Sequence, residues 1–260
     1  MTPRNPSQFS MPLVEHLREL RDRLLRSVVL IVVIFIGLYF FSGDIYMVLV
    51  EPLNTLLPDK ENASLIATGV ASPFLVPLKL AFVMAALLAM PYILHQIWGF
   101  IAPALYKHER MLAVPLFITS VILFYAGVAF VYFVVLPLVF GFFTGAGPEG
   151  IAIMPDISNV LDFCLKMFFS FGLAFEIPIA TFLLVRSGLV SVESLTTKRP
   201  YIFVCCFVFG MLLTPPDVIS QSILAIPMYA LFEMGLLMSR FLPKTTRADA
   251  DAERESEASN

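Results

Sequence analysis

Residues 112–143 read LAVPLFITSVILFYAGVAFVYFVVLPLVFGFF, with no charged side chain among them. A helix needs about 20 consecutive apolar residues to cross about 30 Å of hydrocarbon, and this run is longer than that. Its apolar residues are continuous and do not alternate with polar ones, so it does not read as a barrel strand. The flanking sequence repeats the pattern. Leu24–Phe41 and Phe74–Trp98 precede it, and Val160–Val185, Tyr201–Thr214 and Val218–Met238 follow. These runs predict an all-α membrane protein with six transmembrane helices. Composition agrees: of 260 residues 58% are hydrophobic and 14% charged, with mean hydropathy +0.85, where soluble domains are about half apolar and about a quarter charged. A net charge of -3 points neither to nucleic acid nor to a polybasic membrane surface.

Proline punctuates the runs, at Pro77 and Pro91, Pro115 and Pro137, and Pro227. Each removes a backbone hydrogen bond, so kinked spans of unequal length are expected. The turn Thr214-Pro215-Pro216-Asp217 separates spans five and six, both expected to be short. At 1.5 Å per residue span five would reach only about 21 Å, so thinned lipid or shielding neighbours are expected around it.

Lysine and arginine set the orientation. Arg4, Arg18, Arg21, Arg23 and Arg26 precede span one. Lys107 and Arg110 lie between spans two and three, Arg186, Lys198 and Arg199 between four and five, and Arg240, Lys244, Arg247 and Arg254 after span six. The opposite side carries Lys60 alone. Both termini are therefore expected on the cytoplasmic side of the membrane. The N-terminus has no A-x-A-like site, and the apolar run after it is long enough to stay in the bilayer, so it does not read as a cleaved signal. The expected organisation is a cytoplasmic amphipathic segment over 1–23, the transmembrane domain over 24–241, and an acidic, disordered tail over 242–260. Trp98 is placed at the cytoplasmic interface.

Ionisable groups inside spans call for a reason. Lys79 reads as snorkelling to the interface, and Asp162 and Lys166, at i and i+4, as a pair that lowers the insertion cost. Glu176 stands near mid-span in FGLAFEIPI with no opposite charge within a turn, and a functional role is as expected as a structural one. Glu233 reads as interfacial, reaching headgroups or Arg240. Gln221 can hydrogen-bond across helices or face a partner subunit. Cys164, Cys205 and Cys206 sit in apolar runs and read as small packing side chains. No metal or redox motif is present in the sequence, and no cofactor is expected.

On the basic side, VEHLRELRDRL at 14–24 is a mixed-charge amphipathic helix with i, i+4 pairs. The loop WGFIAPALYKHER at 98–110 is rich in apolar and aromatic residues, as a docking surface would be.

Several of these stretches together resemble the TatC family. The likeness covers nearly all of residues 12–241. It is carried by HLRELRDRL at 16–24, FIAPALY at 100–106 with Glu109-Arg110, Phe171-Gly172 through Glu176-Ile177-Pro178, and GMLLTPPD at 210–217 with Ser220-Gln221. The resemblance implies a glove-shaped receptor for signal peptides bearing paired arginines, working with TatA and TatB in a multi-copy complex that moves folded cargo on the proton gradient. It implies that Glu19 and Glu109 bind the arginine pair, which suits guanidinium forks that bond carboxylates bidentately. Arg21 and Arg23 match positions needed for function, and could hold the helix to the loop or anchor it to lipid. Phe100 matches a recognition-loop residue. Pro52 matches a position that stiffens the first external loop. Glu176 matches a carboxylate facing the concave side, and Asp217 and Gln221 match the region where TatB or TatA docks. The alternative is a proton-coupled small-molecule secondary transporter, which would ring a midplane site with spans. No P-loop, HExxH or Gly-x-Ser-x-Gly occurs, and His16, His95 and His108 form no nucleophile–base pair, so enzyme chemistry is not expected.

Overall fold

The computed structural model describes residues 10–54, 66–101, 113–145, 155–214 and 217–240, and their side chains other than those of 10–16, 52–54, 101 and 113. Along the chain come α1 (Ser10–Tyr39), α2 (Ser42–Asn54), α3 (Ser72–Leu88), α4 (Met90–Ile101) and α5 (Ala113–Phe130). A π-helical turn (Val131–Val135) leads into α6 (Leu136–Gly145). Then follow α7 (Ile157–Ala174), α8 (Ile177–Arg186), the short α9 (Val192–Thr197), α10 (Arg199–Leu213) and α11 (Val218–Arg240). Among the described residues the one strand-like feature is a bridge between Ile66 and Asp156. The chain divides into two compact units, Met1–Val48 with Ala67–Val121, and Leu49–Ile66 with Ile122–Asn260.

In the first unit α1 packs on α3 and α4. Leu80, Ala81 and Ala85 of α3 are wholly buried, and small residues of this kind let helix backbones approach in lipid. The outer face of α1 shows the reverse of a soluble helix, with Val29 and Val33 each 61% exposed. The amphipathic stretch and the span are one unbroken helix, because no Gly or Pro interrupts α1 between Pro12 and Gly37. After it the chain turns through 87° into α2, where Ser42 Oγ donates to the Tyr39 carbonyl at 2.8 Å. Pro52 thus lies inside a helix, not in an extended external loop. Between α3 and α4 the axis bends by 48° at Ala89, because Pro91 has no N–H to continue the ladder. Pro77 sits inside α3 without breaking it.

The second unit is organised around α11, which packs on α8 and α10. Val114–Gly145 stays continuous over 32 residues. Pro137 cannot donate to the ladder, and the register slips just before it: the Leu136 N–H reaches back to the Val131 carbonyl, five residues away. Asp156 caps α7, accepting from the Ser158 and Asn159 N–H groups at 2.9 and 3.2 Å. That helix breaks at Phe175-Glu176, ahead of Pro178. Helices meet at glycine: a Cβ on Gly235 would lie 2.7 Å from Pro178 Cα, and one on Gly172 would lie 2.5 Å from the Phe124 ring.

Among the described residues three helices are long and apolar enough to cross a membrane, two bent pairs qualify when each is taken as one span, and α10 is a shorter apolar helix. These are the six expected spans. Span five is short, as expected: the 15 residues of α10 cover about 22 Å. Span six is not. Its 23 residues cover about 34 Å, because Asp217 starts the helix directly at the turn and Pro227 is carried inside it without a break.

Candidate functional site: an arginine-lined cleft

At the arginine-rich end of the first unit, a cleft of about 510 Å³ is lined by Arg18, Glu19, Asp22, Arg23 and Arg26 of α1 with His95 and Gln96 of α4. The helical period accounts for the first five. Positions 18, 22 and 26, and 19 and 23, recur every four residues and so share one face.

Arg23 is the hub. Its Nη2 and Nε donate to Glu19 Oε1 at 2.6 and 3.0 Å, the i, i+4 pairing expected from sequence. The same guanidinium reaches α4. Nη1 donates to the Gln96 carbonyl and to Gln96 Oε1, each at 3.3 Å, and Nη2 donates to the Gly99 carbonyl at 3.1 Å. Gly99 lies in the last turn of α4, where carbonyls lack helical partners and the helix dipole favours a cation. Of the two roles left open for Arg23, the structure displays the first: it holds α1 against the end of span two. Gly99 leaves room for this approach, since a Cβ there would force the Arg23 guanidinium to shift. Neither Gln96 nor Gly99 was singled out from sequence. A buried amide and a glycine one turn from the end of an apolar run were the available signal.

Arg21 points away, donating to Asp22 Oδ1 at 2.9 and 2.7 Å with its side chain 66% exposed. Phe100 follows directly on Gly99 and is half-buried. Glu109 lies outside the described residues, as do the rest of the loop over 102–110, the first nine residues and the tail from 241. Trp98 differs from expectation. It is buried, with Nε1 donating to Ser120 Oγ at 3.2 Å, because α5 covers it where lipid was anticipated.

The remaining candidates lie in the second unit. Gln221 Nε2 donates to the Phe207 carbonyl at 2.7 Å, which selects the cross-helix reading. Gly210 permits the approach: a Cβ there would sit 3.2 Å from Gln221. Asp217 Oδ1 accepts the Ser220 N–H at 2.7 Å, capping α11. Glu233 pairs with Arg199, where Arg240 or lipid headgroups were expected. It accepts from Arg199 Nη2 at 2.6 Å and from the Tyr229 hydroxyl at 2.7 Å, because α10 brings Arg199 alongside. Glu176 stands at the α7–α8 break, half-buried. Among the described residues no cluster of His, Cys, Asp and Glu could hold a metal, and the three cysteines are free thiols.

Residues 15–227 match the family model described as Sec-independent protein translocase protein (TatC). The chain belongs to the TatC family. It is 58% identical over 236 residues to the TatC protein of Azotobacter chroococcum, covering 91% of this chain and 92% of that one. Against TatC of Escherichia coli K12 the identity is 53% over 232 residues, 89% of each chain. The crystal structure of a twin-arginine translocase receptor TatC superposes with a TM-score of 0.78 at 34% identity, covering 86% of this chain and 98% of that one. TatC membership makes the chain a membrane protein and a translocase component, not an enzyme, and displaces the small-molecule transporter alternative.

Proposed function

We propose that this chain is the signal-peptide receptor and core component of a twin-arginine translocase, and that the cleft at Glu19 is half of its recognition site. One observation carries the reading. Glu19 already holds a guanidinium, that of Arg23, through two N–H bonds to its Oε1, in a cleft open to solvent. A carboxylate so placed suits an arginine of a signal peptide, which would exchange with Arg23 on Glu19 and leave Arg23 on the α4 carbonyls. Two arginines call for a second carboxylate, and Glu109 is its proposed source, with Phe100 beside it for the peptide's apolar stretch. Arg23 then acts as a positioning residue. Arg21 and its exposed pair with Asp22 border the cleft.

The receptor works with TatA and TatB in a multi-copy assembly of the bacterial inner membrane, with both termini cytoplasmic, exporting folded cargo on the proton gradient. The lysine and arginine distribution supports that orientation. Asp217 and Gln221 at the α10–α11 turn, with Pro52 on the same outer side, would border the partner-facing region, and Glu176 would face the concave side. A Glu176→Gln variant that kept full export would exclude titration there as part of transport.

The test is crosslinking of a twin-arginine signal peptide to the purified protein, with a lysine–lysine peptide as control. Capture should be lost in Glu19→Ala, in Glu109→Ala and with the lysine peptide, since lysine lacks the fork. Equal capture by every version would place recognition elsewhere.

A further inference from the structure

The charges of the cleft do not balance for a site that takes only cations. Arg18, Arg23 and Arg26 line it against Glu19 and Asp22, and both carboxylates are already engaged, Glu19 by Arg23 and Asp22 by Arg21. Arg18 and Arg26 have no ion-pair partner among the described residues. They stand eight positions apart on one face of α1, flanking Asp22, with the His95 ring across from them on α4, held edge-on to Phe117 at 5.7 Å. Two guanidiniums and an imidazole therefore line one opening without an ion-pair partner among the described residues.

The position of the opening narrows what could fill it. Beyond Arg26 α1 carries no further charged side chain, and Val29 and Val33 on its surface are each 61% exposed, whereas before Arg26 exposed leucines such as Leu17 and Leu24 are interspersed with charges. A surface of that kind lies in hydrocarbon, so the cleft sits at headgroup depth. The anion most available there is a lipid phosphate, and guanidinium forks match phosphate oxygens bidentately. We propose that this cleft binds the phosphate of an anionic phospholipid, with Arg18 and Arg26 as its ligands, His95 as an added donor, and an acyl chain along Leu25 and Val29. A zwitterionic headgroup brings its own ammonium toward Arg18 and fits less well. The lipid phosphate would share the cleft with the peptide's arginine, but its ligands Arg18, Arg26 and His95 are not those assigned to the peptide.

The test is native mass spectrometry of the delipidated full chain titrated with phosphatidylglycerol, phosphatidylcholine, diacylglycerol or inorganic phosphate. Wild type should retain phosphatidylglycerol about tenfold better than phosphatidylcholine, and diacylglycerol hardly at all. R18Q/R26Q should lose about tenfold in phosphatidylglycerol affinity, as loss of charge-assisted contacts predicts. R18K/R26K, which keeps the charges, should fall between the two and controls for folding. Lys198→Gln, an exposed cation remote in sequence, should behave as wild type. Phosphatidylglycerol retained equally by wild type and R18Q/R26Q would overturn the proposal. So would equal retention of diacylglycerol, or complete displacement by inorganic phosphate at matched concentration, which would make the cleft a free-anion site.

Discussion

Two polar clamps hold helices together in this protein, and they are built on different terms. In the first unit a single guanidinium, Arg23, spans Glu19 on its own helix and two carbonyls of α4, in an open cleft. In the second, α10 and α11 are joined at one end by Arg199, Glu233 and Tyr229, and toward the other by Gln221 on the Phe207 carbonyl. Both ion pairs are 2.6 Å long. They differ in what could replace a partner. Glu19, with 40% of its side chain exposed, can be approached by another guanidinium, and Arg23 keeps its carbonyl partners if it is displaced. Glu233 is 26% exposed and also holds Tyr229, so removing Arg199 leaves a carboxylate with poor access to water. The first clamp is the more open of the two, which is the property the proposed binding role of Glu19 requires and a scaffold does not.

That contrast can be broken at several points. The largest effect should come from Gly235→Leu, because its side chain would have to displace the α8 backbone at Pro178. A loss of about 3 kcal/mol is expected, read as a lowered thermal midpoint in detergent, and an unchanged midpoint would mean that α8 and α11 are not held at glycine distance. Arg199→Gln should cost about 2 kcal/mol in the same assay, the penalty for a poorly solvated charge without its partner. Glu19→Gln should do the opposite of Arg199→Gln. Stability should change by less than about 1 kcal/mol, while capture of a twin-arginine peptide falls about tenfold. A stability loss as large as that of Arg199→Gln would erase the distinction between the two clamps. The smallest effect should be that of Arg21→Gln, whose exposed pair is expected to contribute under about 0.5 kcal/mol. A larger shift in the midpoint would show that Arg21 packs more tightly than its exposure indicates.

Much of this was legible in the residues. Charge-free runs require helices in lipid, whatever surrounds them, and the prolines announced the bend at Pro91, though Pro77 and Pro227 are carried inside unbroken helices. The i, i+4 spacing of Glu19 and Arg23 announced their pair. Glu233 was misread because sequence distance hid its partner: Arg199 is 34 positions away and comes alongside only when α10 folds back on α11. Trp98 was misread for a similar reason, since an indole at the end of a span reads as interfacial until another helix is known to cover it. Gly99 went unnoticed because its importance lies in a carbonyl and a missing Cβ, and Gln96 because nothing in sequence brings its amide and carbonyl to Arg23, 73 positions away.

By itself the sequence determined that this is a six-span helical membrane protein with one strongly basic side, and its motifs identified the family. Those properties depend on local hydropathy and on charge counted along the chain, and neither needs a partner in space. Tertiary structure alone decided which polar groups meet. It placed Arg23 on the end of α4, Arg199 on Glu233 and Gln221 on a backbone carbonyl. A hydrogen bond acts over about 3 Å, and only the packing of helices brings residues distant in sequence within that range.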